Sequence, residues 1–328
     1  MTRSPRFTEG DPRVRRHADA PTASVMGFSR VPLALIALGW VQCAVAEIPH
    51  AGRGEPTDPD ASLADARAGE LADASSGETP GDATSPSPDA SSAGPPPCSA
   101  LPLCDGFESA APGGPPSAAL WSIAQPDCTG SGTLAVDDSQ AHSGQHSVKV
   151  NGGGGYCDHI FIANASVIAA LGPEVYTRVF VRLGAALGAG HVTFLAMKDS
   201  ADMGGDVRMG GQDMILMYNR QSDDATLPVL SPTGTGESVA LAADTWTCVE
   251  SHFDETAGTI DTWVDGKEIA GLVENGTPTP DVSTQWLSQA WKPMLTDFRI
   301  GWESYSGQTM TLWFDDVALA AQRIGCSL

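Results

Sequence analysis

The run GDVRMGGQDMILMYNRQSDDATLP, Gly205–Pro228, sets Arg208, Gln212, Tyr218, Asn219, Arg220, Asp223 and Asp224 among residues with the rhythm of a strand. Met214, Leu216 and Tyr218 alternate against Ile215, Met217 and Asn219, which predicts a β-strand with two unlike faces. One face packs inward; the other either meets only water or lines a groove.

The same alternation continues on both sides. Strands are expected over His146–Val150, ahead of the NGGGG turn at Asn151–Gly155, and over Val175–Leu183, His191–Met197, Trp246–Phe253, Thr259–Ile269, Asp297–Trp302 and Thr311–Leu319. Asp265-Gly266 between TWV and KEI marks a tight hairpin, because both turn positions of a two-residue loop need positive φ. A short helix is expected near Ala165–Leu171, ended by Gly172-Pro173. In Val175–Leu183, Tyr176, Arg178, Phe180 and Arg182 share one face, suiting either a sugar-binding groove or arginines that cap buried carboxylates. With 36 Gly and 24 Pro punctuating short Val-, Thr- and Trp-rich runs, the 328 residues read as one all-β sandwich plus tails.

Residues 1–46 carry a secretory signal layout: Met26–Arg30, an apolar run from Val31 to Val41, then Ala44-Val45-Ala46. The run is shorter than the ~20 residues a membrane helix needs, so no span is expected. Cys43 offers the alternative of a lipid-anchored N-terminus. Residues 47–97, rich in Ala, Ser, Pro, Gly and Asp, read as an extended, disordered linker, leaving 98–328 as the folded domain. The net charge is −22, and residues 98–328 alone hold 10 basic and 27 acidic side chains. Such a field repels nucleic acid, and no basic stripe counters it. Beyond Cys43 there are six cysteines without zinc-type spacing, the pattern of three disulfides in an exported chain.

DGFES (Asp105–Ser109), AHSGQHSVKV (Ala141–Val150), GYCDHIF (Gly155–Phe161), HVTF (His191–Phe194), YNRQSDDATLP (Tyr218–Pro228), GWESYSG (Gly301–Gly307) and WFDDVALA (Trp313–Ala320) occur in that order. Together they resemble the Cip-one-like core-domain family of cellulose-induced secreted proteins. The resemblance implies a single β-jelly roll, a concanavalin-like sandwich with an open cleft, similar to glucuronan and alginate lyases. It implies a secreted protein acting on a plant or microbial cell-wall polysaccharide. It implies a structural Ca²⁺ held by Glu108, oxygens around Ser143 and His146, and Asp315, a donor set that suits a hard cation. It also implies bridges Cys128–Cys157 and Cys248–Cys326, leaving Cys98 and Cys104 to pair locally.

A lyase must neutralise a uronate carboxylate, remove the C5 proton and protonate the leaving oxygen. Arg208 and Gln212 match a carboxylate's geometry. Tyr218, Tyr305 or His191 supply a base or acid, and Asp224 an orienting carboxylate. Asp206 departs from the family pattern, which has a histidine there; a carboxylate at that position opposes a uronate and points toward neutral glycans. The alternative is a non-catalytic carbohydrate-binding protein built on aromatic platforms, with Trp286 and Trp291, in the irregular Thr284–Pro293 segment, as the favoured tryptophans. Glu250, Asp254 and Glu255 lack the alternation of a glycosidase pair, and no G-x-S-x-G turn is present.

Overall fold

The computed structural model describes residues 97–327. The signal region expected over 1–46, with Cys43, and the linker expected over 47–97, apart from Pro97, lie outside the described residues. What is described is a jelly-roll sandwich of two antiparallel sheets. The first sheet runs, in spatial order, β13 (Lys267–Glu268), β12 (Thr259–Val264), β11 (Trp246–Asp254), β6 (Glu174–Leu183), β15 (Met310–Ala320), β4 (Ser147–Gly152) and β3 (Thr133–Asp137), and β1 (Leu103–Asp105) also pairs with β15. The second runs β10 (Ala225–Leu227), β9 (Ile215–Arg220), β8 (Gly205–Gln212), β7 (Val192–Asp199), β14 (Phe298–Ser304), β5 (Ile160–Asn164) and β2 (Ser122–Ala124). Two short helices, α1 (Ile168–Leu171) and α2 (Pro232–Gly236), connect strands.

The expected hairpin forms, with φ of 51° at Asp265 and 79° at Gly266. Alternation on β6 buries Val175, Val179, Val181 and Leu183 between the sheets. Its other face is structural. Arg178 donates to the carbonyls of Asp316 and Gly325, Phe180 stacks under His142, and Arg182 pairs with Asp244. The groove is therefore not on this sheet. Trp286 is fully buried and Trp291 nearly so, packed edge to face on each other. Both plug the core from an irregular segment and are not platforms, because that segment folds over the sandwich end and its large side chains are the apolar surface it has to bury.

Three disulfides close: Cys98–Cys104, Cys128–Cys157 and Cys248–Cys326. The last ties β11 to the C-terminal segment. There Glu250, fully buried, accepts from the amides of Ile324 and Gly325 at 2.7 and 2.8 Å and from Arg323. Among the described residues no helix is long and apolar enough to cross a membrane.

Candidate functional site

The second sheet bends, and the causes are local. Pairing slips between Thr193 and Leu195 on β7 and between Ile300 and Glu303 on β14, and such bulges kink and twist a strand. Gly210 on β8, paired with β7, and Gly301 on β14 lie on the outer face of this sheet. A Cβ there would stand 1.9 Å from the Val192 carbonyl oxygen and 2.1 Å from that of Ile160. Only glycine permits so close an approach of neighbouring backbones.

The resulting hollow is a cleft of about 650 Å³, lined by His191, Arg208, Gln212, Asn219, Asp224, Thr226, Gln285 and Tyr305 together with Val229 and Leu230. Five of the six residues expected at a site thus come together: Arg208, Gln212, Asp224, His191 and Tyr305. Tyr218 does not. It is fully buried between the sheets, with its hydroxyl bonded to Ser251 and Thr262 at 2.7 and 2.8 Å. The register explains this correction, for Asn219 stands opposite Arg208 and Tyr218 opposite Met209, so Tyr218 shares the core face. Burial raises its pKa far beyond use as a base.

Arg208 is the centre of the cleft. Although only 5% exposed, its guanidinium makes one long hydrogen bond, 3.5 Å from Nη1 to Asn219 Oδ1, and lies 4.0 Å through Nε from Glu303. Its Nε has no hydrogen-bond partner among the described residues. A buried cation held so loosely favours an incoming anion. Tyr305 lies beneath the guanidinium at 5.0 Å, donates to Glu303 Oε1 at 2.8 Å, and stacks with His191 at 5.2 Å. The Tyr305 amide also donates to the His191 carbonyl at 3.0 Å, which fixes the ends of β14 and β7 to each other. Burial first, then the Arg208 charge, push His191 down to about 4, against the pull of Asp224, so its ring is neutral near pH 7. Burial and the Glu303 charge push Tyr305 upward, so it keeps its proton. Asp224, at φ 55°, turns to the cleft, while its neighbour Asp223 is taken by Arg220 at 2.7 and 2.9 Å.

Asp206 does not oppose the cleft as its charge implies. Arg299 binds it at 2.6 Å and Lys198 lies 3.8 Å away, so it is a neutralised structural carboxylate. Sequence reasoning missed Glu303, His159 and Tyr156. Glu303 links Arg208 to Tyr305 and stands 3.8 Å from His159, while Tyr156 packs on both His159 and Tyr305. All three lie inside GYCDHIF and GWESYSG, and the two-residue step from Glu303 to Tyr305 was the available signal.

The family model described as polysaccharide-lyase-like, Cip1-like core domain, matches residues 107–322. A solved structure of cellulose induced protein Cip1 is 42% identical, with TM-score 0.64, covering 69% of this chain and 100% of that one. The chain belongs to the Cip1-like core-domain family. The Cip1-like domain is also similar, at 14% identity and TM-score 0.40, to an endo-β-1,4-glucuronan lyase from the fungus Trichoderma reesei, over 64% of this chain and 94% of that one. No curated protein matches the chain.

The residues expected to hold calcium in the Cip1-like domain form one cluster away from the cleft strands. Glu108 Oε1 accepts from the amides of Gln145 and His146 at 2.7 and 2.8 Å, and Asp315 Oδ2 from those of His142 and Ser143 at 2.7 and 3.2 Å. The Ser143 hydroxyl donates to Asp316 at 2.8 Å. Burial and the adjacent Asp316 push Asp315 up to about 7, a charge crowding that a hard cation relieves. No set of three His, Cys, Asp or Glu side chains among the described residues has metal-holding geometry. A cation here would need backbone oxygens of Ser143 and His146 beside Glu108 and Asp315, which Ca²⁺ accepts.

Proposed function

We propose that the domain is an extracellular polysaccharide lyase that cleaves a uronate-containing glycan by β-elimination. One observation carries this reading: a buried, under-bonded Arg208 shares one cleft with His191 and Tyr305. Arg208, with Gln212 and Asn219, binds the uronate carboxylate and draws charge from C5. Neutral His191 takes the C5 proton as the C4–C5 double bond forms. The C4–oxygen bond breaks, Tyr305 gives its proton to the leaving oxygen, and solvent returns the proton from His191 to Tyr305. Burial is the main reason His191 is held down, and anion binding cancels the further repulsion from Arg208, so the base strengthens when substrate arrives. Three disulfides suit the oxidising surroundings of a secreted protein. Calcium, in this reading, is bound by Glu108, Asp315 and the Ser143–His146 loop, and staples the loop to β15.

Incubation with glucuronan, alginate or pectic polymers is expected to raise ultraviolet absorbance as unsaturated uronate ends form. Arg208→Ala is expected to lower turnover at least ~100-fold with little loss of melting temperature, the scale of removing one transition-state donor. No absorbance from any polyuronate, with retention on insoluble glycans, would move the domain to the binding class.

A further inference from the structure

Six large apolar or aromatic side chains are exposed among the described residues. Four are aliphatic and two aromatic, and the aromatic pair is Tyr156 and Tyr305, 38% and 43% exposed, with ring centroids 5.3 Å apart. Tyr305 belongs to the cleft; Tyr156 extends the aromatic surface beyond it. Tyr156 is also held unusually firmly. Its hydroxyl donates to Asp127 Oδ2 at 2.6 Å, and the next residue, Cys157, is bridged to Cys128, the residue after Asp127. A hydrogen bond and a disulfide therefore join the same two dipeptides, and His159 meets the Tyr156 ring edge to face at 5.3 Å. With its hydroxyl occupied and its pKa pushed up to about 12, chiefly by Asp127, the side chain offers its ring and not an acid.

We propose that Tyr156 is the platform of a flanking sugar subsite, one that stacks a pyranose ring of a chain threaded through the cleft and is locked in place by the Cys128–Cys157 bridge. The inference rests on the cleft being a glycan site and adds where the chain runs. The weakly positive C–H face of a pyranose complements the negative face of an aromatic ring. A ring fixed before binding loses little entropy on contact. Such a subsite rewards chain length: a disaccharide has registers in the cleft that leave it empty, whereas a hexamer threaded through the cleft fills it.

The test is the ratio of affinity for hexamers to that for dimers, in a uronate series and a neutral glucose series, with kcat/KM replacing affinity for chains that are cleaved. Tyr156→Ala is expected to lower that ratio about 3- to 10-fold, the range of one aromatic contact. Tyr156→Phe retains most of it, and Cys128→Ser with Cys157→Ser lowers it while the domain stays folded by melting. An unchanged ratio in Tyr156→Ala, or an equal loss on dimers and hexamers, overturns the subsite even if polyuronates are cleaved. A Tyr156-dependent ratio in the neutral series alone supports the subsite and rejects the uronate reading. A wild-type domain that binds neither series overturns both.

Discussion

Arg208 and Tyr218 sit on paired strands one register step apart, and that step decides which can touch a ligand. The two-faced character of Gly205–Pro228 was legible in the sequence; which face was wet was not, since tyrosine suits a core and a cleft equally. Glu303 was harder to see, because a lone carboxylate in a strand carries no role until Arg208 and Tyr305 flank it. His191 provides the residue-scale prediction. The proposed elimination needs it neutral, so activity is expected to persist down to its depressed pKa and to be lost below it. The kcat/KM profile on a polyuronate is expected to fall on the acid side near pH 4 and not near the ordinary histidine value of 6.5. Nuclear magnetic resonance titration of His191 in Arg208→Gln should move the transition upward, and an unmoved transition would remove Arg208 as a cause.

At the scale of elements, a strand with clean alternation such as β6 is found within a residue of where the sequence puts it. The bulges of β7 and β14 left no such trace, because a one-residue slip depends on how neighbouring strands meet and not on local pattern. The buried Trp286 and Trp291 were equally hidden, since an irregular segment has no period from which burial can be read. Gly210 is a positional signal with a mechanical reason, and Gly210→Ala should be costly. The added methyl collides with backbone at Val192, not with a yielding side chain. A loss of about 1–3 kcal/mol is expected, as for overpacked cores, measured from the urea midpoint. A change under a few tenths would mean that the two strands part easily and that glycine does not shape the cleft floor.

At the scale of the whole molecule, the acidic folded domain and its disulfides agree with expectations drawn from composition alone. The cleft did not emerge from composition, because it depends on which faces of one sheet remain uncovered. The proposed calcium belongs to this scale, since Glu108 and Asp315 lie 207 positions apart and their shared loop joins the two ends of the domain. A ligand bound only by the native state raises stability. Chelation is therefore expected to lower the melting temperature reversibly, and Asp315→Asn to abolish the response; indifference of the wild type to chelator would remove the ion. The Cys248–Cys326 bridge has a topological consequence of its own. From β11 to the C-terminal segment the chain is a closed ring, so a protease that severs it once, for example across the irregular stretch before β14, opens a circle and liberates no fragment. The nicked molecule stays in one piece, heavier only by the water of hydrolysis, until a reductant parts the two sulfurs.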